Sequence, residues 1–485
     1  MKYDEMPPHP LPLPCCLPVG WGEGKSEGRF QICLDRMLRR KEVREKMEKV
    51  ILWKPELETM PRERLLEYQL DLFTKLMAYV YERAPFYRRK FDDAGVRPEH
   101  IKTLEDVRKV PFTVKDELRQ SQERNPPFGD FLCITAEEGV RVFQTTGTTG
   151  IPVRSLLSKK DWFVNYYDQF MYYMYGYGIK KADSMFVPYN YGLYLAWWGI
   201  QAAFEQAGVL IIPGGGQTSE DRIKNIIEWK PTVIGGTPTY ILYLGEVAKK
   251  MGVDLSKTSI RIVITAGEPG AQVPSTKKQI ETLWGAKNYD DVGSTEISNF
   301  GFECVAQKGT HVIESMFLAE VIDPVTEQPL PPGEVGELIL TNLCCESMPL
   351  IRWKIKDSVK FNLDRCECGR TFLRLDGGIL GRVDDMFTFG GVNIFPSAIE
   401  NFVRETKEFS TEYQVFVPKM GSGKHLTIRV EPSSPALSRE KMDGALKTFK
   451  ETFKFRIGVS PDVEVAKIGE LPRFEGKAKR IIREV

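Results

Sequence analysis

The chain predicts an α/β protein: a large N-terminal domain of parallel sheets flanked by helices, with a β-rich subdomain, followed by a small α+β C-terminal domain. Three observations carry that expectation. From about residue 140, short β-rich apolar runs alternate with amphipathic helical stretches, the pattern of strands crossed over by helices. After about residue 310, strand-like runs dominate. Near Asp384 the composition becomes that of a separate unit of about 100 residues, within the usual domain range. With 485 residues the chain has length for two or more domains, and the boundaries drawn are 1–383 and 384–485, with a Pro-rich arm over 1–30.

The elements follow in order. Residues from about 35 to 125 read as mainly helical. Arg64 to Tyr81 carries apolar residues at helical spacing, and Pro85, in Ala84-Pro85-Phe86-Tyr87, marks where that helix must end. Ser184 to Val187, Val209 to Ile212, Val233 to Gly235 and Ile260 to Ile264 are candidate buried strands. Asp221 to Trp229 and Thr239 to Met251 are helices between them, which implies a mostly parallel sheet with helices on both faces. Leu318 to Ile322 and Glu337 to Thr341 belong to the β-rich part.

Composition narrows the function classes. Hydrophobic residues at 42% and charged residues at 27% are ordinary for a soluble globular protein. A net charge of +1 gives no basic excess for nucleic acid. No run of 18 apolar residues suggests a membrane-spanning helix. The start holds Pro7, Pro8, Pro10, Pro12 and Pro14, then Cys15 and Cys16. It lacks the basic start and apolar stretch of a signal peptide, so it reads as a mobile or partner-draped arm on a cytoplasmic protein. Nine scattered cysteines are an odd count, which suits thiols or a metal site better than a disulfide framework.

Chemistry first shows in Thr145-Thr146-Gly147-Thr148-Thr149-Gly150. Glycines let a backbone approach an anion, and threonine hydroxyls and free amides donate to phosphate oxygens. A polar hairpin turn is the competing reading. Gly421-Ser422-Gly423-Lys424 is only a lookalike of the common phosphate loop and reads as a hairpin tip. Ala266-Gly267-Glu268-Pro269-Gly270 follows a strand, where open α/β sheets bind ligands. In Gly293-Ser294-Thr295-Glu296 a glutamate beside hydroxyls suits Mg²⁺, which takes oxygen ligands and substrate phosphates. Asp357, Gly381-Arg382-Val383-Asp384-Asp385 and Gly476-Lys477 complete the series, each with a plain reading as loop or solvated charge.

In this order and spacing the segments resemble the AMP-forming acyl-CoA synthetase superfamily, and more closely its phenylacetate–CoA ligases. Val80-Tyr81-Glu82-Arg83-Ala84-Pro85-Phe86-Tyr87, Val110-Pro111-Phe112-Thr113, Pro127-Phe128-Gly129 and Gly391-Val392-Asn393-Ile394-Phe395-Pro396 extend the resemblance from about residue 60 to the end. The resemblance implies an ATP-dependent ligase that adenylates a carboxylic acid and passes it to coenzyme A. It implies that Thr145, Thr146, Gly147, Thr148, Thr149 and Gly150 hold the β- and γ-phosphates. Gly267, Glu268 and Pro269 border adenine and acyl group, with Ala266 beside the substrate. Thr295 and Glu296 serve the α-phosphate and Mg²⁺, Asp357 accepts from the ribose hydroxyls, and Arg382 sits near ribose or phosphate. Asp384 is the hinge of a mobile small domain, and Lys477 is the catalytic lysine. Three positions depart from the family: Val292 stands where an adenine-stacking aromatic is usual, Ile355-Lys356 where Thr-Gly is usual, and no lysine follows the phosphate loop, where Arg154 is the nearest cation.

The resemblance also places an aryl pocket at Tyr189-Asn190-Tyr191-Gly192-Leu193-Tyr194, with Tyr189 and Tyr194 as its candidates and an aromatic carboxylic acid as substrate. Trp197 occupies a position that is small in relatives. Cys304-x6-His311 with Cys366-x-Cys368 has four N/S donors that suit structural zinc, as in some relatives; core thiols are the alternative, and Cys344 and Cys345 are reserve ligands. An adenylating enzyme serving an amine or a carrier-protein thiol, and a non-enzymatic nucleotide- or zinc-binding regulator, are the other function classes. The absence of a fused carrier domain favours free coenzyme A. Composition leaves the oligomeric state open, a homodimer included.

Overall fold

The computed structural model describes residues 51–145, 151–383, 385–389, 392–418, 425–474 and 478–483. Residues 50–485 group as one compact unit. The first long helix, Arg62–Arg83, buries Leu65, Phe73, Leu76, Met77 and Val80, a stripe at helical spacing. It ends at extended Ala84 because Pro85 opens the next helix, Pro85–Asp93. A proline disfavours helical dihedrals in the residue before it, and is itself at home in a first turn.

Strands β1 (Gly139–Gln144) and β2 (Arg154–Ser158) form an antiparallel pair. The main sheet holds β3 (Ser184–Val187), β4 (Leu210–Pro213), β5 (Val233–Gly236), β6 (Ile262–Ala266), β7 (Lys287–Ser294), β8 (Ser298–Glu303), β9 (Thr310–Val312), β10 (Phe317–Ile322), β11 (Val335–Asn342), β12 (Trp353–Asn362) and β13 (Arg374–Arg382). Its order is β10-β11-β12-β13-β9-β8-β7-β6-β5-β3-β4. From β4 through β7 the neighbours are parallel, and helices Ala196–Ala207, Ser219–Trp229, Pro238–Lys250 and Pro274–Trp284 occupy the connections. β5 is buried along its whole length, as expected of a strand covered on both faces. Beyond β7 every neighbour runs antiparallel. The expected mostly parallel sheet is therefore only one half of a continuous eleven-stranded sheet, and the β-rich part is its other half.

After β14 (Phe387–Phe389) and β15 (Val392–Ile394), the chain builds a second sheet from β16 (Phe409–Val417), β17 (Thr427–Pro432), β18 (Asp462–Val465) and β19 (Ile481–Arg483), in the order β18-β17-β16-β19. Helices Pro396–Glu405 and Arg439–Ile457 cover it. Ile399, Phe402, Val403, Tyr413, Val415, Ile428, Val430, Phe449 and Phe453 form its own apolar core. The segment 421–424, expected as a hairpin tip, lies outside the described residues, between the antiparallel strands β16 and β17. Among the described residues, no helix is long and apolar enough to cross a membrane.

The parallel half sets the site. Tyr189 follows β3, Thr237 follows β5, Gly267 follows β6 and Thr295 follows β7. All four lie at the carboxyl ends of parallel strands, where such sheets present their loops to ligands.

Candidate active site

The turn after β6 begins at Gly267, whose φ of +89° is a conformation that glycine adopts without strain. This lets the chain reverse and aim Glu268 back over the sheet edge. Both carboxylate oxygens of Glu268 are engaged. Oε1 accepts from the backbone N–H of Thr239, at 2.8 Å, in the first turn of helix Pro238–Lys250. Oε2 accepts from the N–H of Ala478, at 2.9 Å, in the C-terminal segment. Burial pushes the Glu268 carboxyl up, against the pull of these donors. The Tyr189 hydroxyl meets the N–H of Thr237 at the same edge.

Thr295 and Glu296 occupy the turn between β7 and β8. The Ser155 hydroxyl of β2 donates to the Thr295 carbonyl at 3.4 Å. Thr145 closes the other side of that region: its N–H donates to the Val153 carbonyl at 2.9 Å, and its hydroxyl accepts from the Val153 N–H at 3.0 Å. The two ends of the threonine loop are thus pinned beside the Thr295–Glu296 turn, while Thr146, Gly147, Thr148, Thr149 and Gly150 lie outside the described residues. A small cavity lies here, lined by apolar Leu156, Ile297 and Met348 as well as polar Ser155, Thr295 and Glu296, among others.

Glu296 has a partner that sequence reasoning missed. Lys115 Nζ lies 2.6 Å from Glu296 Oε1. The only available signal was its place two residues after the Val110–Thr113 motif, to which no role was attached.

Beneath the turn, β7 carries two buried carboxyls. Burial, then Glu303, push Asp290 up to about 8. Burial pushes Asp291 up to about 7, although Asn299 donates to it at 2.6 Å. Val292, where the family has an aromatic, is buried, and the Tyr173 hydroxyl donates to its carbonyl at 3.0 Å.

Asp357 and Arg382 face each other across β12 and β13, with Arg382 Nη1 3.7 Å from Asp357 Oδ1. Asp384 and Lys477 lie outside the described residues. Tyr189 packs on Trp197, with centroids 4.9 Å apart, whereas Tyr194 is half-buried. Trp197 is buried so tightly on β5 that a Cβ at Gly235 would fall 2.2 Å from its ring.

The C-terminal sheet leans on the main body through helix Pro396–Glu405. Thr276 donates to Glu400 and Gln279 Nε2 to the Arg404 carbonyl, both at 2.9 Å.

Cys304, His311, Cys366 and Cys368 are all buried, with their ligand atoms within 4.8 Å of one another. Cys304 Sγ lies 3.8 Å from Cys366 Sγ, and Cys368 Sγ lies 3.6 Å from His311 Nε2. Hydrogen bonding to Cys304 pulls both Cys366 and Cys368 down. Burial opposes the imidazolium, but contacts with Cys366 and Cys368 raise His311 to about 9. Cys344 and Cys345 do not join the cluster; Cys345 turns its thiol toward Asp161.

The family model described as AMP-binding enzyme matches residues 81–344, and that described as AMP-binding enzyme C-terminal domain matches 391–484. The chain belongs to the AMP-binding enzyme family. Phenylacetate-coenzyme A ligase of Thermus thermophilus is 35% identical, over 89% of this chain and 99% of that one. A 2-hydroxyisobutyryl-CoA ligase in the postadenylation state, in complex with 2-HIB-AMP, superposes with a TM-score of 0.85 at 31% identity, covering 89% of this chain and 92% of that one. The same ligase in the thioesterification state, with 2-HIB-AMP and CoA, gives 0.67 at 32% identity and the same coverage. The chain thus superposes better on the postadenylation form of that ligase than on its thioesterification form.

Proposed function

We propose that this chain is a cytoplasmic ATP-dependent aryl-CoA ligase, which adenylates an aromatic carboxylic acid and transfers the acyl group to coenzyme A. One observation carries this reading: Glu268 grips the segment that follows Lys477 in the chain, at the same sheet edge that bears Glu296. A carboxylate resists nucleophiles because it is already negative. Its oxygen attacks the α-phosphorus of ATP, the bond to pyrophosphate breaks, and AMP becomes a leaving group. The thiol of coenzyme A then attacks the acyl carbon, AMP departs with the bonding electrons, and a thioester remains.

In this reading Lys477 neutralises charge developing on the phosphate oxygens. Thr145 to Gly150 hold the β- and γ-phosphates. Thr295 contacts the α-phosphate, and Glu296 would hold Mg²⁺, which supplies positive charge to those oxygens when bound. Gly267 and Pro269 border adenine, Asp357 takes the ribose hydroxyls, and Arg382 lies at ribose or phosphate. Asp384 is the hinge between a large domain, 1–383, and a small one, 384–485.

Glu268 has the further task of holding the C-terminal segment for the first half-reaction. Glu268→Ala is expected to slow acid-dependent pyrophosphate release roughly 10- to 100-fold, the scale of a hydrogen bond to a charged group. Thioester formation from supplied acyl-adenylate should change little. Equal loss of both steps would count against it.

The acid pocket lies by Tyr189, Tyr194 and Ala266, where aromatic walls suit a flat ring. The test is a panel of aromatic acids with ATP, with and without coenzyme A, following pyrophosphate and AMP separately. Pyrophosphate without coenzyme A-dependent AMP release would transfer the reading to an amine or carrier-protein acceptor. Neither product with any acid would sink it. On the same panel, Trp197→Gly is expected to admit bulkier arylacetic acids, since it removes the indole packed on Gly235; an unchanged acid profile would take Trp197 out of the pocket.

Zinc is the second element proposed. With Zn–S near about 2.3 Å and Zn–N near about 2.0–2.1 Å, tetrahedral S···S and S···N edges are about 3.8 and about 3.6 Å. The Cys304–Cys366 and Cys368–His311 separations of 3.8 and 3.6 Å fit those edges. Such an ion would be structural, tying loops together away from the reacting atoms.

A further inference from the structure

We propose that Lys115 is a positioning residue of the nucleotide site: it holds the Glu296 carboxylate and sets how readily that carboxylate accepts a divalent cation. The inference rests on the reading above only in taking Glu296 as the metal-facing carboxylate.

Lys115 is not a loose surface lysine. It opens helix Lys115–Arg124, and its neighbours tie that helix to the walls of the site. Two residues earlier, Thr113 donates through its N–H to the Arg352 carbonyl and through its hydroxyl to the Ile351 carbonyl, and its own carbonyl accepts from the Lys354 N–H. This locks the helix start to β12, the strand of Asp357. At the far end of the helix, Gln122 accepts from the Arg154 N–H at 2.9 Å and donates to the Arg154 carbonyl at 2.7 Å. That clamps the strand leaving the threonine loop. Between these anchors, Lys115 reaches Glu296 at 2.6 Å, and the glutamate side chain is only 9% exposed.

The charge pattern gives this contact its use. From Gln144 to Val153 the chain has no cation, so the loop brings no ammonium of its own. Lys115 supplies one from another part of the fold. An exposed ion pair would count for little, but an enclosed carboxylate without its ammonium is a stronger site for any other cation.

The experiment is an Mn²⁺ titration, followed by electron paramagnetic resonance, on full-length protein without nucleotide or acid. Lys115→Met is expected to bind Mn²⁺ about tenfold or more tightly than the unmodified chain, the scale on which an adjacent opposite charge alters a carboxylate's proton affinity. Lys115→Arg should stay at the unmodified value, and adding Glu296→Gln to Lys115→Met should abolish the gain. In the adenylation assay, the half-saturating Mg²⁺ of Lys115→Met should fall. Unchanged Mn²⁺ affinity, or a gain that survives Glu296→Gln, would overturn the proposal. If no acid yields pyrophosphate, the functional reading fails while the Mn²⁺ titration still decides Lys115.

Discussion

Replacing Lys477 with alanine is expected to lower the rate of acid-dependent pyrophosphate release by roughly 10²–10³-fold, the loss that follows removal of one preorganised charge-stabilising donor. The residue that follows Lys477 carries this expectation: the Ala478 N–H is bound by Glu268 at 2.9 Å, at the carboxyl edge of the parallel strands. Phosphoryl transfer leaves little covalent work to the protein, so a fixed ammonium among oxygens that gain charge is where catalysis can be concentrated. The loss should fall on the first half-reaction. Supplied acyl-adenylate and coenzyme A should still yield thioester at close to the normal rate, because the mixed anhydride is already activated and its AMP leaves without help from that ammonium. The measurement is pyrophosphate release and thioester formation on the same preparation. Intact acid-dependent pyrophosphate release in Lys477→Ala would remove the lysine from the mechanism.

Much of the fold is written locally. Ser184–Val187 is read to the residue, and the strands after it shift by a residue or two, because a buried parallel strand is a short apolar run whatever its partners. Partner choice is not local. Nothing in Leu318–Ile322 or Glu337–Thr341 says that those strands continue the parallel sheet, since periodicity records burial and not the neighbour's direction. The site divides the same way. Cys366-x-Cys368 is a visible pair, and its meeting with Cys304 and His311 follows from few cysteines and fewer histidines. Glu268 is visible as part of a motif, but its grip on Ala478, 210 residues away, is not. Lys115 is the sharper case: its role depends on a carboxylate in another part of the chain, and a lysine at a helix start is unremarkable by itself.

Cys368→Ser should lose zinc and destabilise the whole chain, because the cluster joins strands that reach the site from two directions. Cys304 follows β8, which begins just past the Glu296 turn. His311 lies on β9, and Cys366 and Cys368 precede β13, which ends at Arg382. β9 and β13 pair through His311 with Arg374 and Thr310 with Leu375, extended by the Val312 N–H to the Leu373 carbonyl at 2.9 Å, so a metal would strengthen a short seam. The surroundings are arranged for thiolates. Arg370 is fully buried, its Nε is paired with Glu58 at 2.5 Å, and neither Nη1 nor Nη2 has a hydrogen-bond partner. Contacts with Glu58 and Cys368 hold its guanidinium charged against burial. A buried cation with two unpartnered NH2 groups is costly in an apolar core, and less so beside a metal carrying three thiolates. Structural zinc in small domains supplies on the order of 10 kcal/mol of folding free energy. Even a few kcal/mol here should lower the melting temperature by about 3 °C, since the unfolding entropy of a chain this long is roughly 1 kcal/mol/K. Unmodified protein prepared without chelator should hold one zinc per chain by elemental analysis, and Cys368→Ser almost none. A strong chelator should destabilise the unmodified chain and leave Cys368→Ser unchanged, which separates loss of the ion from damage done by the serine. Zinc-free unmodified protein with the same melting temperature before and after chelator would reduce the cluster to packed thiols.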